Sequence, residues 1–380
     1  MRTTAPIRSP NPEGPEDEEV PLRFDPSPRS IIGFGLFVAL AILGLYFLLP
    51  QVAGLQETWH RIEDGSPFWL ALALLFTVGM FGGYVLLFQG VFGRGGAHLT
   101  WRESYQITMA GLAATRLFSA GGAGGIALTA WALRRSGMRR RAVADKTISF
   151  LVLTYLVYMA ALVVFGFGLR FGVFHGDDPF TMTVLPATLA LLVTAVGLSI
   201  ALVPTDFERR LQSLASRHSH VGRLAQRLAT VPATASAGMR DALAHLRSRD
   251  PALLGAIAFW GFQIGVLWAS FKAFGEAPPM AVIVMAFFVG MLGNLLPLPG
   301  GIGGVDGGMI GAFAAFNVDA GLAVVAVLVY RAFTFWLPTV PGIFAYLGLR
   351  RTVERWRAQR LAERREATAR TPAGALHYTN

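Results

Sequence analysis

Six apolar stretches, each long enough to cross a bilayer as a helix, constrain this chain more than any other feature. They run Ile31–Leu49, Pro67–Phe92, Thr147–Phe171, Thr181–Val203, Pro251–Phe274 and Gly321–Leu349. A hydrocarbon core of about 30 Å takes roughly 20 helical residues, so each stretch predicts one full span. With 53% hydrophobic and 15% charged residues in 380, there is far more apolar surface than a water-soluble domain of this size needs. The chain reads as an all-α, polytopic integral membrane protein. The first stretch lacks a nearby basic segment and a small-residue cleavage site, so it reads as a retained helix and not as a leader.

Two further apolar stretches are interrupted. Tyr105–Leu133 is broken by Ser119-Ala120-Gly121-Gly122-Ala123-Gly124-Gly125, and Met280–Phe316 by Pro297-Leu298-Pro299-Gly300-Gly301-Ile302-Gly303-Gly304. Glycine clusters and Pro-Gly pairs end helices. The arm from Asp306 to Phe316 would rise only about 16 Å, too little to cross alone.

Basic residues set the topology. Arg134–Lys146 holds six Arg or Lys, Thr205–Asp250 eight and the tail from Arg350 another eight, whereas the connections near Arg61, Arg170 and Lys272 hold one each. Basic segments stay cytoplasmic. Both interrupted stretches must then enter and leave on one side, as re-entrant hairpins that open to opposite faces. A span, a hairpin and a span over 67–171 are mirrored by the same series over 251–349, which predicts an inverted repeat. Broken helices of such repeats meet near the midplane and form substrate sites in many transporters; close helix packing is the other use of such glycines.

The remaining segments are polar. Residues 1–30 hold seven Pro and the run Glu16-Asp17-Glu18-Glu19, which predicts a disordered cytoplasmic tail. Residues 205–250 predict a cytoplasmic helical insert broken at Pro232, with Leu211, Leu214, Val221, Leu224 and Leu228 at helical spacing before the break and Met239, Leu243 and Leu246 after it. It serves as a solvated linker or as a basic surface for anionic lipid. Residues 351–380 form a basic cytoplasmic tail that starts as a helix.

Ionisable residues within the apolar stretches are candidates for function because an unpaired charge there is costly. Three stand out: Arg116 in the first hairpin, Asp306 at the tip of the second, and Arg331 about 17 Å into the last span. The layout brings them together at mid-depth. Structural roles are open to each: Asp306 as a helix N-cap, Arg331 as its ion-pair partner, and Arg116 snorkelling to the interface or bonding free carbonyls. In a functional role, two guanidinium forks and two glycine turns would hold a phosphate.

Several chemistries are excluded. There is no Cys, and the seven His lie in polar connections or the tail, so neither thiolate chemistry nor an embedded His metal site is expected. No phosphate loop occurs, and Gly122-Ala123-Gly124-Gly125-Ile126-Ala127 fits a dinucleotide fingerprint without the strands such a site requires. No cofactor is expected. The net charge of +10 is assigned to topology, with no nucleic-acid partner.

The string Pro297-Leu298-Pro299-Gly300-Gly301-Ile302-Gly303-Gly304-Val305-Asp306, with Tyr330-Arg331, Trp336, Pro338 and Gly342, resembles the lysylphosphatidylglycerol synthase transmembrane-region family, the flippase-like membrane portion of the multiple peptide resistance factor. The first glycine cluster with Trp131 and Arg134-Arg135 is similar to the family's first-half motif. The resemblance covers about residues 35 to 350. It implies a bacterial inner-membrane protein that moves lipids between leaflets, and the count of basic residues puts both termini in the cytoplasm. The family usually has Glu where this chain has Asp306. The aminoacyl-transferase domain of larger members is not expected in the 30 residues after Arg350, so no synthase activity is expected.

The expected transmembrane flippase-like domain is 31–350, and the expected substrate-binding residues are Arg116, Gly121, Gly122, Asn294, Pro297, Pro299, Gly300, Gly301, Asp306, Tyr330 and Arg331. The cargo class is an anionic or aminoacylated phospholipid or a polyprenyl-phosphate-linked lipid. The alternative is a scaffold that recruits a separate cytosolic enzyme.

Overall fold

The structure, a computed structural model, describes residues 65–93, 99–117, 123–201, 221–295, 301 and 303–370. These all belong to one unit, Phe47–Asn380. The expected tail 1–30 and the span Ile31–Leu49 lie outside the described residues, as do 371–380.

Every regular element among the described residues is helical. Helix α1 is Pro67–Phe88, extended by a π-helical turn Gln89–Gly93. Helices α2, Trp101–Leu117, and α3, Ala123–Arg135, form the two arms of the first interrupted stretch. Then come α4, Arg140–Arg170, α5, Val184–Ala201, and α6, Val221–Arg247. The second half holds α7, Pro251–Phe274, α8, Met280–Met291 with a 3-10 turn Leu292–Leu295, and α9, Gly304–Ala315. Helix α10, Ala320–Arg331, runs through a π-helical turn Ala332–Trp336 into α11, Thr339–Arg370. Five helical runs among the described residues are long and apolar enough to span: Pro67–Gly93, Arg140–Arg170, Val184–Ala201, Pro251–Phe274 and Ala320–Gln359. They coincide with the last five stretches read from the sequence.

Helix starts follow local chemistry. Both α1 and α7 open with Pro at the first helical position, where its missing N–H costs nothing. At α7 the Asp250 side chain accepts a hydrogen bond from the Ala252 N–H at 2.9 Å.

Glycine decides which helices meet. Helices α1 and α7 pack along most of their length, and a Cβ on Gly255 would lie 2.7 Å from the Gly83 carbonyl oxygen. Without side chains the two backbones approach, gaining dispersion contacts in a setting where lipid tails weaken the usual hydrophobic drive. Helix α11 packs on α2 in the same way, with Gly342 against Ala113. That interface is also hydrogen-bonded, from Thr352 Oγ1 to Gln106 Oε1 at 2.8 Å and from Trp356 Nε1 to Glu103 Oε1 at 3.1 Å.

Helix α8 is apolar all round, and a helix of that kind must be enclosed. Every residue from Ala281 to Phe288 is at most 4% exposed. It packs on α9 and on α4, where the Tyr158 hydroxyl donates to the Phe288 carbonyl at 2.5 Å. Helix α5 is equally apolar but leaves Leu185, Leu189, Leu191, Leu192, Val193 and Val196 exposed, as a lipid-facing helix does.

Two expectations are corrected. Pro232 does not break the insert: α6 is one helix of 27 residues through that position. A mid-helix proline loses one hydrogen bond and crowds the preceding turn, but α6 lies against α4 and α5, and that packing keeps the helix going. Over its described part the insert is a single helix that packs on α4 and α5. The last span, for its part, is not one uniform helix. It passes through the π turn and a break at Leu337-Pro338, where the proline cannot donate to the preceding turn.

Candidate functional site

The second hairpin ends its descent at Gly301 and turns into α9 at Gly303. Both glycines have positive φ, 67° and 82°, a conformation that side chains disfavour. Asp306 is not the N-cap, as the sequence suggested, but the third helical residue after it. From there its Oδ2 reaches back and accepts the Gly303 N–H at 2.9 Å. This is the return half of a capping box. Register explains the shift: the glycine run lets the helix start two residues before Asp306, and only a carboxylate on the third residue can fold back onto the cap.

The same carboxylate faces Arg331. Arg331 Nε lies 2.5 Å from Asp306 Oδ1, and the two side chains are only 13% and 15% exposed. Oδ1 accepts no well-aligned hydrogen bond, so this contact is an ion pair held by charge and proximity. The Arg331 guanidinium carbon also stands 4.8 Å from the centre of the Phe335 ring. Arg331 is the last α-helical residue before the π turn, a local widening of the kind often found at functional sites. Asp306 thus caps a helix and pairs with a cation at once.

Arg331 lines a cavity of about 610 Å³. This volume lies in the range of ligand pockets. Its walls come from both halves of the chain: Tyr84 of α1, Thr115 of α2, Tyr158 of α4, Trp260 and Gln263 of α7, Asn294 after α8, and Tyr330 and Arg331 of α10. Nine of the 23 wall residues are aromatic, and half of the rest are Leu or Met. Trp260 packs edge-on to Tyr158 and Phe288, and its Nε1 donates to the Thr154 carbonyl at 2.8 Å, tying α7 to α4. The Tyr330 hydroxyl donates to Gln263 Oε1 at 2.9 Å.

Of the residues expected from sequence, the structure gathers Asn294, Gly301, Tyr330 and Arg331 on the cavity wall, with Asp306 in contact with Arg331. A Cβ on Gly301 would collide with the Asn294 side-chain oxygen, so that glycine is fixed by both conformation and space. Arg116 lies in the last turn of α2, one residue after cavity-lining Thr115. Its side chain is outside what the structure describes. Gly121, Gly122, Pro297, Pro299 and Gly300 also lie outside the described residues.

Sequence reasoning missed Gln263, Tyr158 and Trp260. For Gln263 a signal existed: it is an amide in the middle of an apolar span, and only the search for charged residues passed it over. Nothing in the sequence marked the two aromatics among so many. Among the described residues no group of three or more His, Asp and Glu is placed to hold a metal ion.

A second polar cluster ties α6 to its neighbours. Lys146 Nζ of α4 donates to both Asp241 carboxylate oxygens, at 2.9 and 3.0 Å. His245 lies between Asp241, at 3.6 Å, and Asp250, the cap of α7, at 3.1 Å. The hydrogen bond to Asp241 raises the His245 pKa above the ordinary histidine value; burial works against this, and Asp250 adds to it. Burial pushes Asp241 up, but the hydrogen bonds from His245 and Lys146 outweigh it and hold that carboxyl well below the usual range.

The profile of the family described as "Lysylphosphatidylglycerol synthase TM region" matches residues 31–342. The chain belongs to that family. As a member of the lysylphosphatidylglycerol synthase TM region family it has relatives of similar length. A UPF0104 membrane protein of Methanothermobacter thermautotrophicus is 23% identical over 349 residues, covering 82% of this chain and 93% of the relative. A UPF0104 match in the same organism is 31% identical over 166 residues, 41% of this chain and 49% of the relative. UPF0104 membrane protein MJ1595 of Methanocaldococcus jannaschii is 28% identical over 95 residues, 25% of this chain and 28% of the relative. The family and the five apolar helical runs together establish a multi-pass membrane protein.

Proposed function

We propose that this family member is a lipid translocator, of flippase or scramblase type, in a bacterial inner membrane, with both termini cytoplasmic and no enzymatic activity of its own. The observation that carries the proposal is Arg331, paired with Asp306, on the wall of a cavity built by both halves of the chain. An empty site keeps the guanidinium neutralised. A lipid phosphate entering the cavity competes with Asp306 for Arg331, whose planar fork of donors suits phosphate oxygens. The acyl chains stay beside the apolar helices while the headgroup passes.

The exchange of partners between halves supports an inverted repeat. The first hairpin's α2 packs on α11 of the second half, and the second hairpin's α8 packs on α4 of the first, with α1 and α7 between them. Two pseudo-equivalent bodies around one site is the arrangement that alternating access uses.

The test is movement of labelled phospholipid between leaflets of vesicles containing purified protein. Arg331→Gln, which keeps a polar amide but removes the charge and the guanidinium fork, is expected to slow movement at least tenfold while the protein still elutes as a folded species. Wild-type rates in that variant reject the site; wild-type protein no faster than protein-free vesicles rejects the function.

A further inference from the structure

A second cavity, of about 570 Å³, lies between α2 and α11 and shares no lining residue with the first. Two helix faces build it. On α2, Arg102 and Gln106 stand four residues apart; on α11, Gly348, Arg351 and Arg355 follow at steps of three and four, with Glu354 beside them. Such spacing puts each set on one side of its helix. Three guanidinium groups meet one carboxylate in a single hollow, and none of the four forms an ion pair among the described residues. Glu103, next to Arg102, is committed elsewhere: its Oε2 accepts the Thr100 N–H at 2.8 Å and its Oε1 the Trp356 Nε1–H at 3.1 Å.

The floor of the hollow is fixed before any ligand arrives. Gln106, 7% exposed, accepts the Thr352 hydroxyl on Oε1 at 2.8 Å, and Arg355 Nη2 donates to that same hydroxyl at 2.9 Å. The other end of the amide, Nε2, donates to no described residue. Gly348 keeps the space beside it open, since a Cβ there would lie 2.8 Å from that nitrogen. An amide N–H and guanidinium forks therefore share one space with an excess of positive charge. A phosphate supplies the acceptors and the opposite charge together.

The surroundings distinguish one source of phosphate from another. Helix α11 exposes Phe344 and Leu347, each one turn before a residue of the hollow, Gly348 and Arg351. Helix α2 exposes Trp101 and Tyr105 on either side of Arg102. Aromatic side chains gather at the headgroup level of a bilayer, and the count of basic residues assigns this end of the bundle to the cytoplasm. Phe344 and Arg351 are separated by about 10 Å along the helix, so a ligand with a phosphate at one end and an acyl chain at the other matches both. A free phosphate would leave the apolar part unused.

We propose that this hollow is a second lipid site, which holds the phosphate of an anionic phospholipid of the cytoplasmic leaflet and so ties the first hairpin to the second half of the chain. Basic pockets between membrane helices hold anionic headgroups in this way. The site goes beyond the translocator reading and stands whether or not lipid crosses the membrane.

The test places the full chain in phosphatidylcholine vesicles that hold a small, subsaturating fraction of a probe with a photoreactive diazirine in its acyl chain. The probe is either phosphatidylglycerol or phosphatidylcholine, and crosslinked peptides are mapped by mass spectrometry. In wild type the phosphatidylglycerol probe is expected to mark residues 343–358 at least about fivefold more than the phosphatidylcholine probe. Arg102→Gln and Arg351→Gln should each lower that mark about fivefold, the worth of one basic residue beside an anionic surface. The double variant should bring it to the phosphatidylcholine level, and Arg331→Gln, in the other cavity, should leave it unchanged.

Equal marking by the two probes in wild type overturns the site without any variant. Marking that survives the double variant overturns the role of the arginines, and a fall in Arg331→Gln would assign the label to lipid from the central cavity. Loss of the mark in excess inorganic phosphate, against chloride at matched ionic strength, would give the hollow to a soluble phosphate and overturn the lipid.

Discussion

Removing the charge from Asp306 while keeping its shape separates the two roles of that carboxylate. In Asp306→Asn the side-chain oxygen can still accept the Gly303 N–H, now held at 2.9 Å, but Arg331 loses its counter-charge. Breaking one side of a fully buried ion pair costs about 3 to 5 kcal/mol, because a charge is left without compensation. Here the partners are 13% and 15% exposed and Arg331 borders a cavity that water can enter, which places the loss near the lower end, about 3 kcal/mol. Asp306→Ala removes the cap as well and adds about 1 kcal/mol. The double variant Asp306→Asn with Arg331→Gln removes both charges, and should be more stable than Asp306→Asn alone by about 2 kcal/mol. The measurement is reversible unfolding in mixed micelles at increasing dodecyl sulfate fraction, followed by tryptophan fluorescence. Additive losses within about 0.5 kcal/mol would mean that the two groups are not coupled, and the ion pair could then not be what a phosphate displaces.

Other outcomes follow from the same geometry. Gly255→Val drives a branched side chain into the α1 backbone and should cost about 1 to 3 kcal/mol in the same unfolding measurement; a neutral effect would mean that the two helices are not in close contact. Gly303→Ala meets nothing within 4 Å but must adopt φ 82°, so a loss of about 1 kcal/mol from conformation alone is expected, with the fold unchanged by circular dichroism. His245 binds its proton more tightly folded than unfolded. Its contribution is therefore complete below about pH 6.5 and is lost as pH rises through its raised folded value. Thermal unfolding of wild type should lose stability across that window, and His245→Gln should flatten the loss; identical profiles would show that the cluster does not couple α6 to α7.

The series of apolar runs was enough to place five of the spans, because a helix that must satisfy its own backbone in lipid leaves a continuous 20-residue signature. The two broken stretches were legible for a similar reason: glycine and proline act locally, on the chain's own torsions. Asp306 and Arg331 stood out because charge in an apolar run is rare. Their contact, and the role of Asp306 as the third residue of α9 instead of its cap, needed the register of a turn whose four glycines and two prolines do not fix it in the sequence. Pro232 misled because tertiary packing on α4 overrides a local break. Gln263 was visible as a letter but not as a site. Its meaning depends on Tyr330, 67 residues away, taking one end of the amide and nothing taking the other. Local sequence determines where helices start, stop and cross lipid; which side chains share a cavity is set only when glycine faces let those helices close on one another.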